Sequence, residues 1–184
     1  VIYGDFPDPD VIRVDNTYYM VSTTMHIFPG ATILKSKDLV NWEYCANPLE
    51  RIANTDPYNL AVGLNRYGHG QWATALQYRN GVFYMLFNTL DEGSFLLTAS
   101  DPEGEWSMTK LQDVFYDGGL MFDGDDTYVA YGIGDIHIAK VNSDFVKIED
   151  KIAAKGSLDT GMEGCRLYHI GDYYYIYATY PGWP

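Results

Sequence analysis

Two cysteines, Cys45 and Cys165, are too few and too far apart for a disulfide framework or a thiolate zinc site, and they leave the redox compartment open. Positive charge is scarce as well. Twelve Lys and Arg stand against 25 Asp and Glu, for a net charge of −13. A nucleic-acid groove needs clustered cations to displace counterions, so no nucleic-acid partner is expected. Most of the excess acid reads as solvated surface. No apolar run is long enough to span a membrane, and no membrane partner is expected. No basic-then-apolar leader is present and the chain opens on Val1, which leads us to expect a processed or trimmed N-terminus. Sustained helical periodicity is missing throughout.

What is abundant is tyrosine, 17 residues in a chain of 184, a length that fits one domain with a real core. Tyrosine suits half-buried pleated sheets. It also suits sugar sites, where the ring packs on C–H surface and the hydroxyl bonds outward. The tyrosines follow a repeated grammar: an acid, an apolar run, a tight polar turn, then an aromatic strand. Asp8 leads through Asp15-Asn16 to Tyr19, Asp117 leads through Gly124-Asp125 to Tyr128, and Glu163 leads through Gly171-Asp172 to Tyr174. Each acid stands 11 residues before its tyrosine. A fourth copy counts back from Tyr84 to Ala73, so three of four repeats carry a carboxylate at this position.

The spacings from Tyr84 to Tyr128 and from Tyr128 to Tyr174 are 44 and 46 residues. Four short strands per unit at that period is the signature of a β-propeller blade. The expected units are a first blade over about residues 5–50, a second over 72–112, a third over 116–152 and the start of a fourth over 160–184. Residues 47–71 read as a long insertion broken by Pro48, Pro57, Gly63, Gly68 and Gly70, of the kind that is usually functional or mobile. Trp42 and Trp106 end matching turns after Ser36-Lys37-Asp38 and Ser100-Asp101-Pro102, and read as packing residues. The fold class expected is all-β, an incomplete propeller of about three and a half blades. An unclosed ring leaves strand edges bare, so the remaining blades are expected from the same polypeptide, and this span alone is expected to be inactive.

In a propeller, equivalent positions of the inner strands converge on one face. Asp8, Asp117 and Glu163 should therefore meet in a funnel, with Ala73 as the gap in the ring. Taken singly, each has a bland reading: Asp8 can begin a turn before Pro9, and Asp117 can do so before Gly118-Gly119. Together they make a set that can split a glycosidic bond, with one carboxylate activating water, one carboxylic acid protonating the leaving oxygen, and one charge tuning the donor. Cys165, two residues from Glu163, is expected on the same strand face and so in the pocket. His69, His137 and His169 show no metal-ligand spacing and read as structural.

These stretches resemble glycoside hydrolase family 43, the five-bladed propellers that include β-xylosidases and α-L-arabinofuranosidases. The resemblance is carried by Pro7-Asp8-Pro9-Asp10-Val11-Ile12-Arg13-Val14, Ser36-Lys37-Asp38-Leu39-Val40-Asn41-Trp42, Trp72-Ala73, Asp117 before Leu120-Met121-Phe122-Asp123, and Glu163-Gly164 before Tyr173-Tyr174-Tyr175. It implies an inverting, exo-acting enzyme on plant cell-wall pentose oligosaccharides of the xylan or arabinan type. Asp8 then matches the general base, Glu163 the general acid, and Asp117 the residue that orients the acid and raises its pKa. Trp72 is implied to stack near the scissile sugar, and His26, Phe28 and the Pro29-Gly30 loop to shape the terminal-sugar pocket, beside Ala73 and Cys165. No cofactor is required for the chemistry and no catalytic metal is implied. The resemblance allows a structural calcium near the axis and a C-terminal β-sandwich domain. Thr74 and Cys165 stand where many members have other residues, and neither departure removes a reacting group.

Two other readings compete. One is a non-catalytic carbohydrate-binding or scaffold propeller, which the presence of all three acids disfavours. The other is a sister propeller family that cleaves fructosides with retention. Its Asn-Asp-Pro-Asn-Gly and Glu-Cys-Pro motifs are replaced here by Pro7-Asp8-Pro9-Asp10-Val11 and Glu163-Gly164-Cys165.

Overall fold

The structure is a computed structural model that describes residues 2–156 and 161–180. It is all-β apart from a single 3-10 turn at Ala61–Gly63. Strands β1 (Asp10–Val14), β2 (Thr17–Val21), β3 (Ile33–Ser36) and β4 (Trp42–Ala46) form one antiparallel sheet in sequence order. β5 (Thr74–Arg79), β6 (Val82–Thr89), β7 (Gly93–Ala99) and β8 (Ser107–Lys110) form a second. β9 (Gly119–Asp123), β10 (Asp126–Tyr131), β11 (Ile136–Val141) and β12 (Lys147–Ala154) form a third. β13 (Glu163–Ile170) and β14 (Tyr173–Thr179) pair as a hairpin. These are successive propeller blades in a ring that does not close. The expected limits of the fourth unit, residues 160 and 184, lie outside the described residues. No helix among the described residues is long and apolar enough to cross a membrane.

Local sequence explains the hairpins. The first two strands of every unit are joined by two residues, Asp15-Asn16, Asn80-Gly81, Gly124-Asp125 or Gly171-Asp172. In each pair the first residue has positive φ, at 52°, 52°, 57° and 62°. A two-residue hairpin turn demands that conformation, and Asp, Asn and Gly supply it most cheaply.

The inner strands β1, β5, β9 and β13 adjoin one another in succession, and this brings the four units round a common centre. Strand alternation sends side chains to both faces, so each blade feeds two cores. From β6, Phe83, Met85 and Phe87 pack toward the first blade with Val21, Ile33 and Leu49. Leu86 points the other way, to a core with Phe115, Leu120, Val129 and Ala139. Met121, Ala130, Ile136, Cys165 and Leu167 form a third core between the last two units. Each fully buried large side chain contributes roughly 1.5–3 kcal/mol. Outer strands β8 and β12 are largely exposed, as are most side chains of β14.

One sequence expectation is corrected here, and it concerns the fourth hairpin. Its turn is followed directly by Tyr173, so the residue equivalent to Tyr19 is Tyr175, paired with Tyr168, and not Tyr174. The acid of this unit is therefore 12 residues upstream rather than 11. A β-bulge between Glu163 and Arg166 absorbs the extra residue, with Gly164 at φ 72°. Residues 47–71, expected as a long insertion, are tied to the first blade at their two ends. Isolated bridges join Gly30 to Leu49 and Met25 to Gln71, while Leu49 and Ile52 are buried in the first core. The amide of Gln71 is fully buried. Its oxygen accepts from the backbone N–H and hydroxyl of Thr24, both at 2.8 Å, and its nitrogen donates to Thr74 Oγ1 at 2.6 Å.

Close approach of the third and fourth units depends on Gly119, where an added Cβ would fall 2.3 Å from the carbonyl oxygen of Cys165. Gly119→Ala should therefore destabilise the fold by about 1–3 kcal/mol through overpacking, measured as a lowered denaturant midpoint. An unchanged midpoint would show that the two strands do not meet so closely.

Candidate functional site

Asp8, Asp117 and Glu163, from three different units, line one hollow at the centre of the inner strands, together with Ala73. Its wider part is completed by Arg166, Tyr168, Tyr177 and Thr179, and its narrower part by Met25, Trp72, Asn88 and Tyr116.

Asp8 is held from the end of β2. Its Oδ2 accepts a 2.7 Å hydrogen bond from Thr23 Oγ1, while Ser22 Oγ and Thr23 N both donate to the carbonyl of Pro7. The residue is exposed, but on the open side of the hollow. Asp117 is more enclosed. Its N–H donates to Asn88 Oδ1 at 3.0 Å, and its Oδ2 accepts from the Gly164 N–H at 2.6 Å. Its Oδ1 is buried without a partner among the described residues. Both aspartates have positive φ, 49° and 50°. Asp tolerates this region better than most residues, yet strained backbone at two equivalent acids is a mark of functional sites.

Glu163 begins β13 and is half-buried. Its Oε2 accepts from the Tyr116 hydroxyl at 3.1 Å. Burial pushes its carboxyl above the usual range; the Tyr116 hydrogen bond opposes that, and the charges of Asp117 and Asp8 add to it. Burial also pushes Asp117 up, against the Arg166 guanidinium and the Gly164 N–H, while Asp8 reinforces the rise. Tyr116 is itself raised to about 12, first by burial and then by Glu163, so it stays a hydroxyl donor.

The other expected site residues are placed unevenly. Trp72 lines the narrow part, with its indole N–H donating to the Gly68 carbonyl at 3.0 Å. Ala73 lines both parts of the hollow together with the acids. Cys165, by contrast, does not line the hollow. It is fully buried in the third core, its thiol pushed up to about 12 mainly by burial. The bulge breaks the alternation, so Arg166 takes the place in the hollow that the sequence assigned to Cys165. His26 is stacked on Tyr67, with centroids 3.7 Å apart, and Phe28 packs against the first core; neither lines the hollow. His69, His137 and His169 pair with Asp91, Asp150 and Asp123. Among the described residues no group of three or more His, Cys, Asp or Glu is placed to hold a metal ion.

Sequence reasoning passed over Tyr116, Asn88, Thr23, Asp10 and Arg166. Some left a signal. Asn88 interrupts the apolar run Met85-Leu86-Phe87, and Tyr116 precedes an acid already singled out.

Comparison with known proteins fits this geometry. The family model for glycosyl hydrolases family 43 matches residues 1–182. A non-reducing end alpha-L-arabinofuranosidase of Bacteroides ovatus, BoGH43B, is 32% identical over 99% of this chain and 35% of its own length. A beta-xylosidase of Bacillus subtilis is 30% identical over 99% of this chain and 37% of its own. A solved structure described as a bifunctional GH43-CE of Bacteroides eggerthii superposes with a TM-score of 0.89 at 33% identity, over 97% of this chain and 25% of that one. The chain thus spans about a third of the length of the curated relatives it matches.

The raised carboxyls carry a pH signature. A native acid with a raised pKa keeps a proton that the unfolded chain has already released, so stability falls as pH rises from the ordinary carboxylate range toward neutral. Asp117→Asn, which preserves an acceptor for Gly164, should raise the thermal midpoint at neutral pH, and the gain should shrink toward about pH 4. A midpoint that falls at neutral pH would contradict this account.

Proposed function

The chain belongs to glycosyl hydrolase family 43, and from that premise we propose that the protein carrying it is an inverting glycosidase that releases a pentose, xylose or arabinose, from xylan- or arabinan-type chains. The observation that carries the reading is the meeting of Asp8, Asp117 and Glu163 in one hollow from three separate units. The relatives named as an arabinofuranosidase and a beta-xylosidase support the pentose class.

The roles follow from environment. Asp8, open to the hollow, with Oδ2 accepting from the Thr23 hydroxyl, is the base: it takes a proton from a water that attacks the anomeric carbon. Glu163, with its carboxyl pushed up, is the acid that hands its proton to the leaving oxygen as the glycosidic bond breaks. Water attacks opposite the leaving group, so the anomeric configuration inverts. Asp117 stays close enough to raise the donor's pKa and is fixed by the Gly164 N–H. Trp72 offers an apolar ring beside the acids for the sugar's C–H face.

In the complete enzyme, Asp8→Asn should lower kcat by about 10²–10⁴-fold on every pentoside, which is the range for losing a general base. Glu163→Gln should lose a similar factor on alkyl pentosides but far less on nitrophenyl pentosides, whose leaving groups need little protonation. Equal losses on both substrates would remove Glu163 from the donor role, and a retained anomer by NMR would overturn inversion. Tight pentose-oligosaccharide binding without turnover by the unaltered enzyme would favour the scaffold reading.

A further inference from the structure

Residues 66–69, near the end of the insertion, close a tight turn. His69 N donates to the Arg66 carbonyl at 3.0 Å, and Gly68 has φ 75° at the third position, where glycine is favoured. Both ends of this turn reach one atom. Arg66 Nε lies 3.0 Å and His69 Nδ1 2.8 Å from Oδ2 of Asp91, which stands in the turn between β6 and β7. The middle of the turn supplies the Gly68 carbonyl, which accepts the Trp72 indole N–H at 3.0 Å. Trp72 is thus held twice from one hairpin. Its backbone N–H donates to the carbonyl of Asn88, near the end of β6, at 3.2 Å, and its ring is held by a turn that Asp91 fastens.

The chain that follows the turn is fixed independently. Gln71 and Met25 exchange both backbone hydrogen bonds at 2.9 Å. A Cβ at Gly70 would fall 1.7 Å from the Met25 carbonyl oxygen, so the strand of chain leaving the turn passes hard against the first blade. Met25 and Trp72 are both walls of the narrow part of the hollow, whereas Asp91 does not line it. With the backbone on either side held in this way, the remaining freedom is that of the Trp72 ring. An indole has one polar atom, its N–H, and the bond to Gly68 is the handle that sets its angle. A lone exposed ion pair contributes little, but two cations meeting on one carboxylate oxygen from both ends of a turn make a small network that fixes the turn's geometry.

Resting on the reading of Trp72 as the ring on which the sugar packs, we propose that Asp91 is a positioning residue for the substrate: by fastening Arg66 and His69 it places the Gly68 carbonyl, and that carbonyl sets the orientation of the Trp72 ring toward the sugar. The role belongs to binding and not to proton transfer, so its loss is read in KM.

The test uses the complete enzyme and a nitrophenyl pentoside. Asp91→Ala should raise KM about three- to tenfold with kcat nearly unchanged, the pattern left when binding is lost equally from ground and transition states. Arg66→Gln, which removes one of the two cations, should raise KM by less. In a Trp72→Phe background, which lacks the indole N–H, Asp91→Ala should add little further, because the path from Asp91 to the sugar runs through that bond. Losses that multiply in the double variant, or a folded Asp91→Ala with unchanged KM, would overturn the proposal. A second readout needs no turnover. The fluorescence of Trp72, taken as the difference between each protein and its Trp72→Phe counterpart, should move to longer wavelength and be quenched more readily by acrylamide in Asp91→Ala. Trp72 emission that stays where it was sinks the proposal too. If Asp91→Ala does not fold, Arg66→Gln carries the same comparisons. Should the unaltered enzyme cleave no pentoside, the glycosidase reading fails by itself, and the emission still decides whether Asp91 orients Trp72.

Discussion

A single buried carboxylate, that of Asp10, ties together three of the four units. It takes a backbone N–H from β5 at Leu76 and the guanidinium of Arg166 from β13, while it begins β1 itself. A carboxylate that is 7% exposed is costly unless its oxygens are matched, and here both are. The arrangement fixes the spacing of the inner strands at the level where the acids of the hollow emerge. Asp8 stands two residues before this anchor, Ala73 three residues before Leu76, and Glu163 three before Arg166. Placement of the site is thus a consequence of the same contacts that hold the blades round their centre.

Much of this was legible in the sequence because it is encoded locally. Polar pairs such as Asn80-Gly81 dictate two-residue turns, and alternation of apolar residues in β6 dictates that one sheet faces two cores. Recurrence of an acid at nearly one offset, 11 residues in two units and 12 in the third, was enough to point to Asp8, Asp117 and Glu163 sharing one hollow. What was not legible is non-local or depends on a single inserted residue. Tyr173-Tyr174-Tyr175 offers three possible registers, and nothing local says that the bulge after Glu163 consumes one residue. That slip exchanged Cys165 for Arg166 in the hollow. The pinning of residues 47–71 by Gln71 was hidden for a related reason, since its partners Thr24 and Ser22 lie nearly fifty positions away. His26 was placed near the sugar by resemblance, but the ring of Tyr67 covers it.

The enclosed acids and the exposed one differ in environment. Asp117 and Glu163 sit where burial favours the neutral form, while Asp8 is exposed and accepts from the Thr23 hydroxyl. The positive φ at both aspartates indicates that the chain accepts local strain to aim these groups inward, and the Asn88 and Thr23 contacts are what hold them there.

Tyr116 and Asp117 are adjacent in the chain, and both act on Glu163 in opposite senses. The hydroxyl draws the glutamate toward ionisation, and the neighbouring negative charge resists it. Because one dipeptide carries both, a displacement that pulls the segment away weakens the two influences together. Their changes are opposite in sign. The protonation of this glutamate therefore answers to the position of a single short segment rather than to two independent strands.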